Sequence, residues 1–217
     1  MDTEVIEESK EFWQNYLIGV IMDFRRFSVR SIQRIINNAG RLGDRVTIVG
    51  RSNNNYVIHF NDSRDLVFIW HHGPWSIDGA LMAMDAWILN TILEEVNLPL
   101  IPIWVQIWGF PLEYQIPDIA TRLAHTIGIM DQIDWIDVMP RNLRYMRIRV
   151  WINPKAPLIA GCMLQQDDGV MHWVEFRYEN VYKVCRRCEI IGHTMPYCPH
   201  LNLDIERMIG EQMELIN

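Results

Sequence analysis

One stretch near the end of the chain restricts what it can be: Cys185-Arg-Arg-Cys188-Glu-Ile-Ile-Gly-His193-Thr-Met-Pro-Tyr-Cys198. The spacing is Cys-x2-Cys-x4-His-x4-Cys. Three thiolates and one imidazole complete a tetrahedral shell and leave no position open for water, which suits a structural zinc ion and not a hydrolytic one. Two residues between the first thiols let both point at one ion from a tight turn. Gly192 permits the backbone reversal that brings His193 round. From the chain's own composition, such a match arises by chance on the order of 4 times in 100,000. The competing readings are a redox Cys-x2-Cys pair, or buried thiols beside a surface histidine. His200, two residues past Cys198, is the alternative imidazole. The fourth thiol, Cys162, stands apart, so the cysteines make a poor disulfide framework and a good metal site for a reducing compartment.

The remainder is globular in composition: 217 residues, 49% hydrophobic and 22% charged. That length allows one or two domains. The net charge is −7, which argues against coating nucleic acid through bulk charge. The charge is segregated, however. Between Asp23 and Arg51 lie seven arginines and two aspartates, and between Asp78 and Asp137 nine acids and only Arg122. Basic residues return at Arg141, Arg144, Arg147 and Arg149, and at Lys183, Arg186 and Arg187. Seventeen of the 20 cations are Arg, the better residue for phosphate forks and base stacking. The first eleven residues are acidic, the wrong sign for a secretory or transit peptide. The longest near-apolar run, Leu98 to Leu112, contains three prolines and is too short to span a bilayer. The expectation is a soluble intracellular protein of nucleus or cytoplasm, neither secreted nor membrane-bound.

Hydrophobic periodicity predicts a mixed α+β chain. Strand 16–23, a helix 29–38 capped by Ser28, a hairpin of 45–51 with 56–61, a helix from Ser63 to His72 and a strand 81–87 follow in order. This is the β-α-β-β-α-β, RNA-recognition-like (ferredoxin-like) unit, assigned to 12–90 after an acidic segment 1–11. A proline-punctuated connector leads to a second mixed segment, 97–180. Its expected strands are 103–108, 133–138, 144–152 and 173–178, with a helix 117–127. The zinc segment, 183–199, and an acidic tail, 200–217, complete the chain.

Alternation places Tyr145, Arg147, Arg149 and Trp151 on one strand face, and Trp104, Gln106 and Trp108 on one face of another. If the two strands are neighbours, they form one surface interleaving rings with cations, as a single-strand platform needs. The opposing reading buries Trp104 and Trp108 in a core and pairs Arg147 and Arg149 with the acids of 131–137. Arg30 and Arg34, four apart on the first helix, are a candidate phosphate-positioning pair or a solvated helix face. His71-His72 reads as a loop pair, and Asp167-Asp168-Gly169 as a turn. No Gly-rich phosphate loop or Ser elbow is present, so no enzymatic activity is expected.

Residues 185–198 resemble the zinc knuckle of retroviral-type nucleocapsids. Such knuckles bind single-stranded RNA or DNA through exposed rings and nearby cations, which here implies Lys183, Arg186, Arg187 and Tyr197. Many carry an aromatic after the first Cys and a Gly after the second; this chain has Arg186 and Glu189. Further landmarks are Gly73-Pro74-Trp75, Pro102-Ile-Trp-Val-Gln-Ile-Trp-Gly-Phe-Pro111, Arg147-Ile-Arg-Val-Trp-Ile152, Pro157-Leu158 and Trp173-Val-Glu-Phe-Arg-Tyr-Glu179. With the knuckle, they make residues 10–199 resemble the plant family carrying domain of unknown function 4283 followed by a CCHC zinc knuckle. Its members resemble the Gag-like first open reading frame product of LINE-type retrotransposons. The resemblance implies zinc and nucleic-acid binding, with single-stranded RNA the preferred partner, and no established enzymatic activity. The alternative is a protein-interaction module whose knuckle meets a protein partner. Metal loss is expected to unfold the knuckle while the larger domain persists.

Overall fold

The computed structural model describes residues 12–39, 42–136, 138 and 142–216. The chain divides into two compact units, Met1–Leu98 and Pro99–Asn217. The acidic segment 1–11 falls outside the described residues, as do Arg41, Asp137 and Arg141.

The first unit contains β1 (Tyr16–Met22), α1 (Val29–Ala39), β2 (Val46–Ser52), β3 (Asn55–Phe60), α2 (Ser63–His72), β4 (Trp75–Ile77) and β5 (Ala80–Ala86). Its antiparallel sheet has the order β2-β3-β1-β5-β4. Ser28 caps α1, its Oγ accepting from the Ser31 N–H at 3.1 Å. The cap of α2 is Asp62 and not Ser63: its carboxylate accepts from the Arg64 N–H at 2.9 Å, because a residue with extended backbone must precede the first helical turn. Leu17 and Ile21 of β1, Tyr56, Ile58 and Phe60 of β3 and Met82 of β5 pack with Ile32 and Ile36 of α1 and Ile69 of α2. A fully buried side chain of this kind contributes about 1.5–3 kcal/mol relative to exposure. The opposite sheet face is apolar at its centre, with Ile18, Leu81 and Ala83 buried, and carries Thr47, His59 and Asp85 around them. The Asn55 amide beside it donates to the Leu93 and Val96 carbonyls, tying down the chain that follows β5.

The second unit contains β6 (Ile101–Trp108), α3 (Pro117–Ile127), β7 (Ile129–Ile133), β8 (Tyr145–Ile152), β9 (Gly161–Gln165), β10 (Met171–Tyr178) and α4 (Asn202–Ile216). Its antiparallel sheet has the order β7-β8-β6-β10-β9. Ile103, Val105, Ile107, Ile148 and Val150 are wholly buried, and α3, with Ala120 and Ala124 buried, packs along β7 and β8. The expected strand 133–138 is displaced: β7 ends where it was to begin. Helix α3 stops at Gly128, and the chain enters the sheet at once, pairing Ile129 with Trp151. A later start would leave the backbone of 129–132 without partners. Two strands, β4 and β9, and helix α4 lie where the sequence suggested none.

Candidate metal centre and nucleic-acid interface

The Cys/His segment is folded by short backbone bonds of its own. Val184 bridges Ile191, the Cys185 N–H donates to the Ile190 carbonyl at 3.0 Å, and the Gly192 N–H donates to the Lys183 carbonyl at 2.8 Å. Gly192 adopts φ 98°, a left-handed conformation that glycine takes without strain, and it delivers His193 to the thiols. A short 3-10 turn, Met195–Tyr197, then brings back Cys198.

The donor atoms of Cys185, Cys188, His193 and Cys198 all lie within 4.8 Å of one another, and Cys188 Sγ stands 3.3 Å from His193 Nε2. Tetrahedral zinc with bonds of about 2.0–2.3 Å spaces its donors about 3.5–3.8 Å apart, so the cage need contract by about 1 Å at most. His200 is outside the cluster; its ring centroid is 5.9 Å from that of His193. The surroundings suit a cation held by thiolates. Burial pulls the Cys185 thiol up, but backbone N–H groups of Arg187 and Cys188 aimed at its sulfur, together with the neighbouring Cys188 and Cys198 thiols, more than reverse this and lower its pKa. Burial pushes Cys188 up to about 12, and its sulfur neighbours add to the rise. Three thiols this close resist ionising together unless a cation sits among them. Burial also lowers the pKa of His193, with smaller contributions from His200 and Lys183, favouring the neutral imidazole that a metal requires.

Comparison with known families bears on this geometry directly. Residues 153–200 match the zinc knuckle family model. Residues 9–95 match the domain of unknown function DUF4283. The chain is also 26% identical over 140 residues to "Uncharacterized protein At4g02000" of Arabidopsis thaliana, covering 64% of this chain. The matched region spans 44% of that relative's length.

The knuckle match begins well before Cys185, and the structure gives a reason. The Leu158 N–H donates to the Glu189 carbonyl at 2.9 Å, joining the loop after β8 to the knuckle. Beneath the thiols, Ile205 of α4 packs with Cys185, Cys188 and Ile190, and Met208 packs against the same cluster. Gln212 of α4 donates to the Pro157 carbonyl. The knuckle therefore has an apolar floor supplied by a helix.

The nucleic-acid candidates fall into three groups. Around the knuckle, Arg186, Arg187 and Tyr197 are exposed, as is Tyr182, while Lys183 is partly buried. Arg187 donates to the Asn202 side chain. On α1, Arg30 and Arg34 are exposed, and neither has an ion pair among the described residues.

The third group lies on the second sheet. Strands β6 and β8 are neighbours, with Trp104 opposite Arg149, Gln106 opposite Arg147, Trp108 opposite Tyr145 and Pro102 opposite Trp151. The predicted rings and cations thus share one face. Their environments differ. Trp104 is only 7% exposed, and the Arg147 guanidinium lies 3.8 Å from its ring centroid. Arg147 donates twice to Glu179, at 2.9 and 2.8 Å, and pairs with Asp134 at 3.2 Å. Burial pulls its pKa down, and these carboxylates more than reverse that. Arg149 is 5% exposed against Asp131, and its burial lowers its pKa despite that partner. Both arginines therefore meet acids of the 131–137 stretch. Trp151 is half-buried and lines a groove with Leu158, Met208 and Gln212.

Four further residues on or beside this face are not among the contacts expected from the sequence: Arg144, Glu175, Arg177 and Glu179. The Arg177 guanidinium lies 4.2 Å, and that of Arg144 5.6 Å, from the Trp108 ring. Glu179 receives Arg147 and Gln106, and Glu175 receives Arg177. Alternation along 173–179 carried the signal, since Glu175, Arg177 and Glu179 are two apart.

Proposed function

We propose that the chain is a zinc-dependent nucleic-acid-binding protein of retrotransposon Gag-like descent, binding single-stranded RNA and catalysing no reaction. The observation that carries this reading is the Cys185/Cys188/His193/Cys198 cage, ringed by exposed Arg186, Arg187 and Tyr197. Zinc, when bound, cross-links the four donors and fixes the turn. The cations then meet phosphates and the tyrosine ring offers a stacking face. The strand order β2-β3-β1-β5 supports an RNA-recognition-like assignment for the first unit. The centre of its outer sheet face is apolar and bears no arginine among the described residues, so its contribution to binding comes through the exposed Arg30 and Arg34 of α1. The protein works inside the cell, in nucleus or cytoplasm.

The test is a titration of zinc-loaded protein with single- and double-stranded RNA and DNA across salt. Single-stranded RNA should bind most tightly, weakening as salt rises, and chelation should weaken it further. Absence of zinc uptake, or of affinity for any nucleic acid, would overturn the reading.

One observation favours a second reading, a protein-interaction module. The second sheet's ring-bearing face is charge-balanced: Arg144, Arg147, Arg149 and Arg177 stand beside Asp131, Asp134, Glu175 and Glu179. Zinc uptake without nucleic-acid affinity in the same titration would select it.

A further inference from the structure

Among the described residues, four arginines lie on or beside the ring-bearing face of the second sheet, and three of them are held by carboxylates. Arg147 is gripped by Glu179 and Asp134, Arg149 is buried against Asp131, and Arg177 is held by Glu175 at 2.8 Å. Arg144 is exposed and has no carboxylate partner among the described residues. The rings divide in the same way. Trp104 is buried beneath Arg147, whereas Trp108 and Tyr145 are both partly exposed and stack on each other, centroids 5.0 Å apart and planes at 30°; Arg177, held by Glu175, lies 4.2 Å from the Trp108 centroid, so the Tyr145 side of the step is what a base can extend.

The Trp108 ring is also fixed in place. Its Nε1 donates to Gln106 Oε1 at 2.9 Å, Gln106 donates to Glu179 at 2.8 Å, and Glu179 is clamped by Arg147. A ring whose polar edge is already satisfied and whose rotamer is locked loses little freedom when something stacks on it. Gly109, the next residue, has φ 81° and places no side chain beside the ring. Arg144, at 5.6 Å from the ring centroid, is held by no carboxylate and is free to turn toward an anion.

From this arrangement we propose that the Trp108–Tyr145 step is a binding site for one unpaired base of a single-stranded nucleic acid, with Arg144 taking the adjoining phosphate. The site rests on the nucleic-acid reading above and sharpens it: on this sheet Arg147 and Arg149 are positioning residues, and the contacts belong to Trp108, Tyr145 and Arg144. Base stacking and one charge-assisted phosphate contact are what the geometry supplies.

The experiment uses full-length, zinc-loaded protein and a fluorescently labelled single-stranded oligouridylate, titrated at several salt concentrations. Trp108→Leu should weaken binding about 10-fold or more, and Trp108→Phe should recover most of it. Arg144→Gln, a surface change that leaves the fold intact, should weaken binding and reduce the slope of log K against log salt by about 0.7. Lys155→Gln removes the same charge beyond the other end of β8 and should do neither. Wild-type affinity in Trp108→Leu or Arg144→Gln, or an equal loss in Lys155→Gln, overturns this site while leaving the knuckle's role standing. Failure of the wild-type protein to bind the oligonucleotide overturns the functional reading and this site with it.

Discussion

Among single residues, Glu189 shows most clearly how this knuckle departs from the usual pattern. It occupies the position after the second cysteine, where the nucleocapsid-type pattern has glycine, and its φ is 58°. A side chain with a Cβ pays about 1–2 kcal/mol in that left-handed conformation. Its backbone is nonetheless in use: the N–H donates to the Cys185 carbonyl at 2.8 Å, and the carbonyl receives Leu158. Glu189→Gly keeps both bonds and removes the strain. The zinc-loaded variant should be more stable by about 1 kcal/mol, read from its denaturation midpoint. It should also bind single-stranded RNA more tightly, because a carboxylate beside Arg186 and Arg187 has gone. The four metal donors were readable from spacing alone, because a metal site must be assembled from a few donor types at short separations. The state of Arg147 was readable in part: pairing with the acids of 131–137 was one of two readings, and Asp134 meets it. Its second carboxylate partner, Glu179, lies 32 residues away, so two strand pairings had to be known before that contact could be seen.

Among the elements, helices and long strands followed periodicity closely: α1, α2 and α3 lie within one or two residues of expectation. The missed pieces were short edge strands. Asp78 and Gly79, both at positive φ, turn β4 into β5, and that Asp-Gly pair was a hairpin signal overlooked because β4 has three residues. The Asp167-Asp168-Gly169 turn was recognised, but its flank β9 is half exposed and shows little alternation. Across the paired strands, Glu179 links β10 to β8 and β6 through Arg147 and Gln106. Burial raises its pKa, but hydrogen bonds from Arg147 and Gln106 more than compensate, so its folded value is below the ordinary 4.5. A depressed folded pKa contributes stability that is present above the unfolded value and lost as pH falls through the folded one. Glu179→Gln should therefore cost about 1–3 kcal/mol at neutral pH. The difference from wild type should shrink as acid protonates the wild-type carboxylate. Urea midpoints of the two proteins measured from pH 7 to about pH 3 would check this.

At the level of the whole chain, the metal's reach is the open quantity. The sequence predicts a knuckle that depends on zinc and a larger domain that does not, with an acidic tail, 200–217, beyond. Helix α4 occupies that last segment instead. Acidic residues obscure its helical signal, which rests on the spacing of Ile205, Met208 and Gln212. Those residues now define a chain of dependence. Ile205 and Met208 pack on Cys185, Cys188 and Ile190, so α4 has its apolar face against residues whose arrangement a bound metal would fix. Fifteen residues of isolated helix are marginal in water, and the Gln212 bond to the Pro157 carbonyl is a slender anchor for α4 once the knuckle floor is lost. The second sheet is different: Ile103, Val105, Ile107, Ile148 and Val150 are buried among themselves and with α3, far in sequence from any metal donor. Chelation should therefore release α4 together with the knuckle and leave β6 and β8 intact. Hydrogen exchange can resolve the two. Amides of Asn202–Ile216 should lose protection with chelator, while those of Ile101–Trp108 and Tyr145–Ile152 should keep theirs. An Ile205→Asp variant should reproduce the loss in α4 with zinc still present. If α4 stays protected after chelation, its docking is independent of the metal; if the β6 and β8 amides exchange as well, the division between sheet and knuckle is wrong.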